Sequence, residues 1–464
     1  MDSDLQTVIS AVNGEKIVGS ATSRFSGVSI DTRTLKAGEL FVCIQGDRFD
    51  GHDFLNEAIA KKPAGVIVSD RARLPLDKMQ EGPFAVAVPD TLKALQDLAA
   101  HHRNQQDVRV VGVTGTNGKS TTKEMIAAIT GTRFKTLKTQ GNLNNHIGVP
   151  LTLLNLTREH EVAVIEMGMS AAGEIRRLAE IAKPEIGVIT NVSEAHMVQL
   201  KTIRDVQAAK GELFEALSEN GTAIVNADDP LVLELADGLR ARAITFGLDP
   251  SADVQARDIR AADVTRIEFT ARVFDTTAPV RLPFSGMHNV RNALAALATG
   301  AALGMKVEGM VPGLEVTQGL NQRGQVFEFN GMTILNDTYN ANPRSMREAI
   351  HTLTALSCSG RRFLVMGAML ELGEQENIAH RKVGEWAVES GIDYLVTVGM
   401  LAGLATDAAA ERGMDANRIH RGETHDDAAH FLKQHARAGD CLLFKGSRGS
   451  QMETVIERFT GTAR

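Results

Sequence analysis

Val110–Met125, VVGVTGTNGKSTTKEM, is the stretch that decides the reading of this 464-residue chain. An apolar run of strand length ends at Thr114, a glycine-rich turn follows, and a helix is predicted to start at about Lys119. Gly115 and Gly118 let backbone N–H groups approach phosphate oxygens, and the helix N-terminus adds further donors and a favourable dipole. In such a turn Lys119 reaches the β- and γ-phosphates of a nucleotide and the Ser120 hydroxyl sits on Mg²⁺. The spacing departs from GxxxxGK[ST], which would place glycine at 113; the chain has Val113 and offers Gly112 and Gly115 instead. An isolated GKS is as readily a plain joint between strand and helix. The buried-strand run before it and the Thr-rich helix start after it favour the phosphate loop.

Around this loop the pattern repeats. VRVVGVT, AVIEM, IGVIT and TAIVN are near-continuous apolar runs separated by amphipathic helical stretches, as a parallel sheet buried on both faces requires. A more polar β-like passage from about Arg257 to Pro283 precedes the helical GMHNVRNALAALATGAAL. After Gly324 the alternation restarts with MTILNDTY, RRFLVMG, DYLVTVG and DCLLFKG. Before it, ELFVCIQGDRFDGHDF and AGVIVSD suggest a smaller α/β unit, and the polar HHRNQQD at 101–107 reads as a linker. The expected fold class is α/β in three domains: a small N-terminal unit over 1–104, a central doubly wound, mostly parallel sheet over 105–319, and a Rossmann-like unit over 320–464.

Bulk properties agree with this division, because single cores stop growing below roughly 300 residues. A formal charge of −7 argues against a surface built for nucleic acid, which calls for clustered Lys and Arg. Cys43, Cys358 and Cys441 lie far apart in sequence, with no CxxC pair, and read as thiols in a reducing compartment. MDSDLQTVIS lacks a basic region followed by an apolar run, so no signal peptide is expected, and no stretch approaches the roughly 20 apolar residues of a membrane span. A cytoplasmic protein without membrane insertion is expected. Aromatic content of 4%, with Trp386 the one tryptophan, hints at no large aromatic interface, so a monomer is the default.

TGTNGKST, Thr114 to Thr121, is the ATP loop typical of the Mur ligases and of the related folylpolyglutamate synthases. Further strings follow in that family's order: GNLNNHIGVPLTLL from Gly141, EMGMSAAGEI from Glu166, ITNVSEAHM from Ile189, AAKGELF from Ala208, GMHNVRNALAA from Gly286 and LNDTYNANPRSM from Leu335. The resemblance spans nearly the whole chain. YNANPRSM at 339–346, and GAMLELGEQ at 367–375 followed by His380, resemble the branch that adds D-alanyl-D-alanine to a UDP-linked muramoyl tripeptide. A typical member reads Asp-Met where Ala368 and Met369 stand, so one carboxylate near the site is absent.

The resemblance implies ATP-dependent amide-bond formation through an acyl phosphate, with UDP-MurNAc-tripeptide and D-Ala-D-Ala as substrates. It implies ATP on Thr114, Gly115, Thr116, Asn117, Gly118, Lys119, Ser120 and Thr121. Asn289 and Asn292 would read adenine, with Arg323 on phosphate and Asp337 on ribose. Two Mg²⁺ ions are implied, held by Ser120, Glu166, His196 and Lys210, the last as a carbamate. Lys119, Glu166, His196 and Lys210 would carry the chemistry. By the same resemblance Thr32, Arg33, Asp50, Gly51 and His52 contact the uridine diphosphate, and Asn142, Asn144 and Asn145 the muramoyl portion. Asn340, Asn342, Arg344, Lys445, Ser447 and Arg448 are candidates for orienting the dipeptide. Competing readings are a sibling that adds a diamino acid, a folate-type ligase, and a P-loop switch that turns over ATP without an amine acceptor. YNANP speaks against the first two, and the Asn-rich motif is unexplained by the third.

Overall fold

In the computed structural model, which describes residues 1–20, 23–46, 48–79, 82–263 and 265–462, the run around Val110 forms the strand Arg109–Thr114, buried from Val110 onward. It pairs in parallel with Val162–Glu166 on one side and Ile186–Ile189 on the other. Helices cover both faces, so no position needs a polar side chain, and Val and Ile follow one another without alternation. Thr136–Lys138 lies beyond Val162–Glu166, and Thr222–Asn226 and Arg242–Gly247 extend the opposite flank. The chain leaves Arg109–Thr114 for one flank and later crosses to the other. This reversal makes Thr114 a topological switch point, where α/β sheets open a crevice at the carboxyl ends of their strands.

The polar passage is an antiparallel extension, Val254–Asp263, Arg266–Val273 and Thr276–Leu282, which completes a nine-stranded sheet. In Arg266–Val273 the buried residues Ile267, Phe269, Ala271 and Val273 alternate with more exposed ones, because only one face is covered. That cover is the Ala-rich helix Met287–Ala302, whose small side chains lie in the same core.

Besides the antiparallel pair Asp2–Asp4 and Arg24–Ser26, two larger sheets flank this one. The first has the order Glu15–Val18, Phe84–Ala87, Gly65–Val68, Leu40–Val42, Val28–Ser29, parallel except for its first pair. The other runs Gln325–Phe329, Met332–Asp337, Cys441–Lys445, Arg362–Met366, Tyr394–Val398, Ile419–Gly422, again parallel except for its first pair. No helix among the described residues is long and apolar enough to cross a membrane.

One expectation changes. The predicted linker at 101–107 is largely the end of the helix Thr91–Asn104. Its polar side chains are docking groups: a ring nitrogen of His102 bonds the Leu156 carbonyl at 2.9 Å, and Arg103 donates to the Ala182 carbonyl at 2.9 Å. Polar composition therefore marked an interface between units, not free chain. Cys358 and Cys441, distant in sequence, are brought together: Cys358 Sγ donates to the Gly439 carbonyl and Cys441 Sγ to that of Ser357. Burial, aided by the neighbouring Cys358 thiol, pushes Cys441 up to about 12, so it is an inert thiol.

His380 shows how the third unit depends on pH. Its side chain is fully buried; Nε2 accepts from the Met369 N–H at 2.8 Å while Nδ1 donates to the Glu376 carbonyl at 2.7 Å. A second ring proton would face the Met369 N–H, and burial lowers the pKa of this His below its ordinary value. Between that lowered value and the unfolded one near 6.5, the unfolded chain binds the extra proton. Stability is thus full above about pH 6.5 and falls as pH drops toward the folded-state pKa, by about 1.4 kcal/mol per pH unit per proton. Denaturant titrations between pH 7 and 5 should show a shallower pH slope for His380→Gln than for the native chain.

Candidate active site

The phosphate loop sits at the switch point because its glycines allow it. Gly115 and Gly118 have φ of +142° and +80°. A Cβ at Gly115 would collide with Thr190 Oγ1 and one at Gly118 with Asn292 Oδ1. The loop is held from the neighbouring strand end: Thr116 N–H donates to the Asn191 carbonyl at 2.9 Å, Asn117 N–H to Asn191 Oδ1 at 3.1 Å, and Thr190 Oγ1 to the Asn117 carbonyl at 2.6 Å. These bonds preset the loop before any ligand arrives. Lys119 opens the helix Lys119–Thr130, and its Nζ donates to the Gly115 and Thr116 carbonyls at 2.9 and 3.1 Å. Burial lowers the pKa of this amine, Glu166 opposes the shift, and Arg323 adds to it.

Glu166 ends its strand and is 1% exposed. Oε1 accepts from Asn144 Nδ2 at 2.8 Å, while Oε2 has no hydrogen-bond donor, with Lys123 Nζ 3.7 Å away. The Ser120 hydroxyl is likewise buried without a partner. Two hard oxygens without a hydrogen-bond partner at the head of a phosphate loop suit a small divalent cation, which would supply the close contact that each lacks. Among the described residues no three His, Cys, Asp or Glu side chains cluster for a metal, so any such site draws on Ser120 or on another residue class.

His196, just past the next strand end, has φ +57°, and its Nδ1 lies 2.8 Å from Glu371 Oε2 in the third unit. Met197 N–H donates to the Glu371 carbonyl at 3.0 Å, and Glu371 too has positive φ, +67°. Burial chiefly lowers the His196 pKa; Glu371 raises it, and Lys210 and Lys119 lower it further. Lys210, on the helix Ile203–Glu215, is 2% exposed, and no carboxylate lies within ion-pair distance of it among the described residues. Burial, with Lys119 adding to it, holds this amine well below the usual lysine range.

The third unit supplies the facing wall. The Arg323 guanidinium lies 3.7 Å from the centre of the Tyr339 ring. Asp337 ion-pairs with Lys445 at 2.5 Å and accepts from the Gly324 N–H at 3.1 Å. Asn342 caps the helix Pro343–Ala355 and exchanges amide bonds with Asn117 of the phosphate loop, at 2.7 and 3.3 Å. A cavity of about 460 Å³ opens between the walls, lined by loop residues Thr116 to Lys119, Thr121, Glu166, His196, Arg323, Asp337 and Asn340 among others. Asn144, Asn145, Asn289, Asn292, Asn342 and Lys445 also line it.

Other predicted positions stand elsewhere. Ser120 and Lys210 lie behind the lining, and Thr114 is buried at the strand end. Arg344 ion-pairs with the buried Asp229 at 3.1 Å and borders a recess of about 40 Å³ next to Asn292, so it joins the two units. Ser447 accepts from the Leu370 N–H at 2.9 Å and donates to the Ala341 carbonyl, and exposed Arg448 pairs with Glu453 at 2.6 Å; neither lines the cavity. Asn142 lies outside it as well. Thr32, Arg33, Asp50, Gly51 and His52 are apart, in the first unit. There Arg33 pairs with Asp31, and Asp50 Oδ1 meets His52 Nδ1 at 2.6 Å while Oδ2 meets Arg73. Burial pulls the Asp50 carboxyl up, but hydrogen bonds from His52 and Arg73 outweigh it and hold the group below the usual carboxylate range.

Sequence reasoning passed over His288, which lines both cavities and whose pKa burial lowers, and Tyr339, the platform under Arg323. It also passed over Lys123 and Glu371. Helical spacing could have flagged Lys123, one turn after Lys119; Glu371 lies within the GAMLELGEQ string, but nothing local names its partner, 175 positions away.

Comparison with known proteins agrees with this arrangement along the whole chain. Residues 24–103 match the family described as Mur ligase family, catalytic domain; 113–300 match the Mur ligase middle domain; and 322–448 match the Mur ligase, glutamate ligase domain. The chain is 38% identical over 435 residues to the UDP-N-acetylmuramoyl-tripeptide–D-alanyl-D-alanine ligase of Bacillus subtilis (strain 168), covering 93% of this chain and 92% of that one. The enzyme of the same description from Escherichia coli (strain K12) is 35% identical, with 97% of each covered. Among solved structures, MurF from Acinetobacter baumannii superposes with a TM-score of 0.90 at 31% identity over 100% of this chain and 99% of that one. The MurF ligase of Thermotoga maritima in complex with ADP gives 0.82 at 28% identity, over 94% and 97%. Three matched segments in family order, over a fold shared from end to end, place the protein: the chain belongs to the Mur ligase family.

Proposed function

We propose that this chain uses ATP to join D-alanyl-D-alanine to a UDP-N-acetylmuramoyl tripeptide, giving the pentapeptide precursor of peptidoglycan, ADP and phosphate. The observation that carries the reading is the cavity whose one wall is a preset phosphate loop with Glu166 and His196, and whose other wall brings Arg323, Lys445 and the Asn340–Asn342 amides. A carboxylate and a triphosphate brought together repel by several kcal/mol unless cations lie between them, and such cations converge here. The reaction runs as a monomer in the cytoplasm, where ATP is supplied.

The tripeptide carboxylate takes the γ-phosphoryl group to become an acyl phosphate, and the dipeptide amine displaces phosphate from it. Lys119 draws the triphosphate onto the loop N–H groups. Asn292 and Asn289 present amides to the base, and Arg323 and Asp337 close over phosphate and ribose from the third unit. Asn340, Asn342 and Lys445 orient the dipeptide, and Asn144 and Asn145 the muramoyl side. Ser120 and Glu166 would hold one Mg²⁺, and His196 with Lys210 a second; such ions supply charge neutralisation at the transferring phosphoryl group. Lys210 suits the second position as a carbamate: burial, with Lys119 adding to it, favours the neutral amine, and a neutral amine adds CO₂ to give a carbamate anion and a proton. The first unit binds the uridine diphosphate through Thr32, Arg33, Asp50, Gly51 and His52. Contact between the two walls through Asn117 and Asn342 excludes water from the acyl phosphate.

Phosphate release from ATP is expected to require both UDP-MurNAc-tripeptide and D-Ala-D-Ala, with the pentapeptide product seen by mass. Turnover indifferent to D-Ala-D-Ala would sink the assignment and favour a sibling ligase or a nucleotide switch.

A further inference from the structure

Lys123 is fully buried, yet it lies on the phosphate-loop helix one turn beyond Lys119 and is not needed to hold the loop. Its Nζ donates to the Thr139 carbonyl at 2.8 Å and the Gly141 carbonyl at 3.2 Å, and it faces Glu124 at 3.1 Å and Glu166 at 3.7 Å. Thr139 in turn accepts the Glu166 N–H at 3.0 Å through its hydroxyl. Gly141, with φ +53°, starts the turn that carries Asn142, Asn144 and Asn145, and Asn144 reaches back to Glu166. One ammonium therefore gathers the root of that turn, the strand-end carboxylate and the phosphate-loop helix. Burying a cation is costly unless its surroundings compensate it, and here the compensation comes from groups whose mutual placement matters.

We propose that Lys123 is a positioning residue for the UDP-linked acceptor: it sets the Gly141–Asn145 turn in register with the phosphate loop, so that the acceptor carboxylate meets the γ-phosphate. The inference rests on the ligase reading above, in which that turn contacts the muramoyl portion. Glu124 completes the charge balance, since it also pairs with Lys138. Methionine at 123 would keep the volume and remove every donor.

Calorimetric titration of the apo protein with UDP-MurNAc-tripeptide, without ATP or metal, is the test. Lys123→Met is expected to bind it about tenfold more weakly while ADP affinity stays within twofold. In turnover the KM for UDP-MurNAc-tripeptide should rise about tenfold and that for D-Ala-D-Ala stay unchanged. Lys123→Arg keeps the charge, but its planar fork does not put one nitrogen between two carbonyls, so a weakening of about threefold is expected; this variant decides the matter if the methionine variant does not fold. Unchanged acceptor binding in a folded variant, or equal weakening of all three ligands, overturns the proposal. Failure of the unaltered protein to bind UDP-MurNAc-tripeptide overturns the ligase reading itself.

Discussion

Lys119→Ala is expected to lower phosphate release by roughly three orders of magnitude, about 4 kcal/mol of transition-state stabilisation. The ammonium now rests on the Gly115 and Thr116 carbonyls, within the field of Glu166, and a triphosphate on the loop would offer it far stronger acceptors. The loop itself should survive, because Asn191 and Thr190 hold it from outside. ADP binding is therefore expected to weaken much less than turnover, by about tenfold, which calorimetry would read. Lys119→Arg should recover little, since a planar guanidinium does not fit a seat shaped by two carbonyls for a point charge. A variant with near-native kcat would remove Lys119 from the chemistry.

Lys210→Met should cost at least two orders of magnitude in turnover and yet raise the unfolding temperature. The stability half follows from linkage. The folded-state pKa lies well below the usual lysine value, so between the two values the unfolded chain holds the extra proton and neutral pH disfavours folding. In CO₂-free buffer, where the side chain is the free amine, methionine removes that penalty while filling the same space. The activity half follows from the carbamate: stripping CO₂ from the buffer should reduce the activity of the native chain, with recovery on adding bicarbonate, and the variant should respond to neither. Destabilisation together with a bicarbonate response in Lys210→Met would contradict both arguments.

The strand–turn–helix unit of the phosphate loop, the four buried runs and the antiparallel passage were legible because their signals are local: apolar periodicity, glycines where φ is positive, a lysine and serine at a helix start. Glu166 was legible for the same reason, as the last residue of a buried run. The HHRNQQD segment was misread as linker because composition records polarity but not its partners, and those partners are the carbonyls of Leu156 and Ala182. Glu371 was missed because its link to His196 exists only when two units pack. Arg344 matched a dipeptide-site motif, yet in the structure it grips Asp229.

By itself the sequence determined three α/β units, the location of the phosphate loop at a strand end, and the family whose ordered strings it carries. The first two depend on interactions within a turn of helix or along one strand, so a window of some twenty residues contains the physics, and the family follows from the order of such local strings along the chain. Tertiary structure alone decided that Asn117 meets Asn342, that Lys210 is buried with no carboxylate within ion-pair distance among the described residues, and that Lys123 joins the Gly141 turn to Glu166. Those facts depend on which distant surfaces share a desolvated space, and burial and Coulomb energies are properties of that space rather than of any segment.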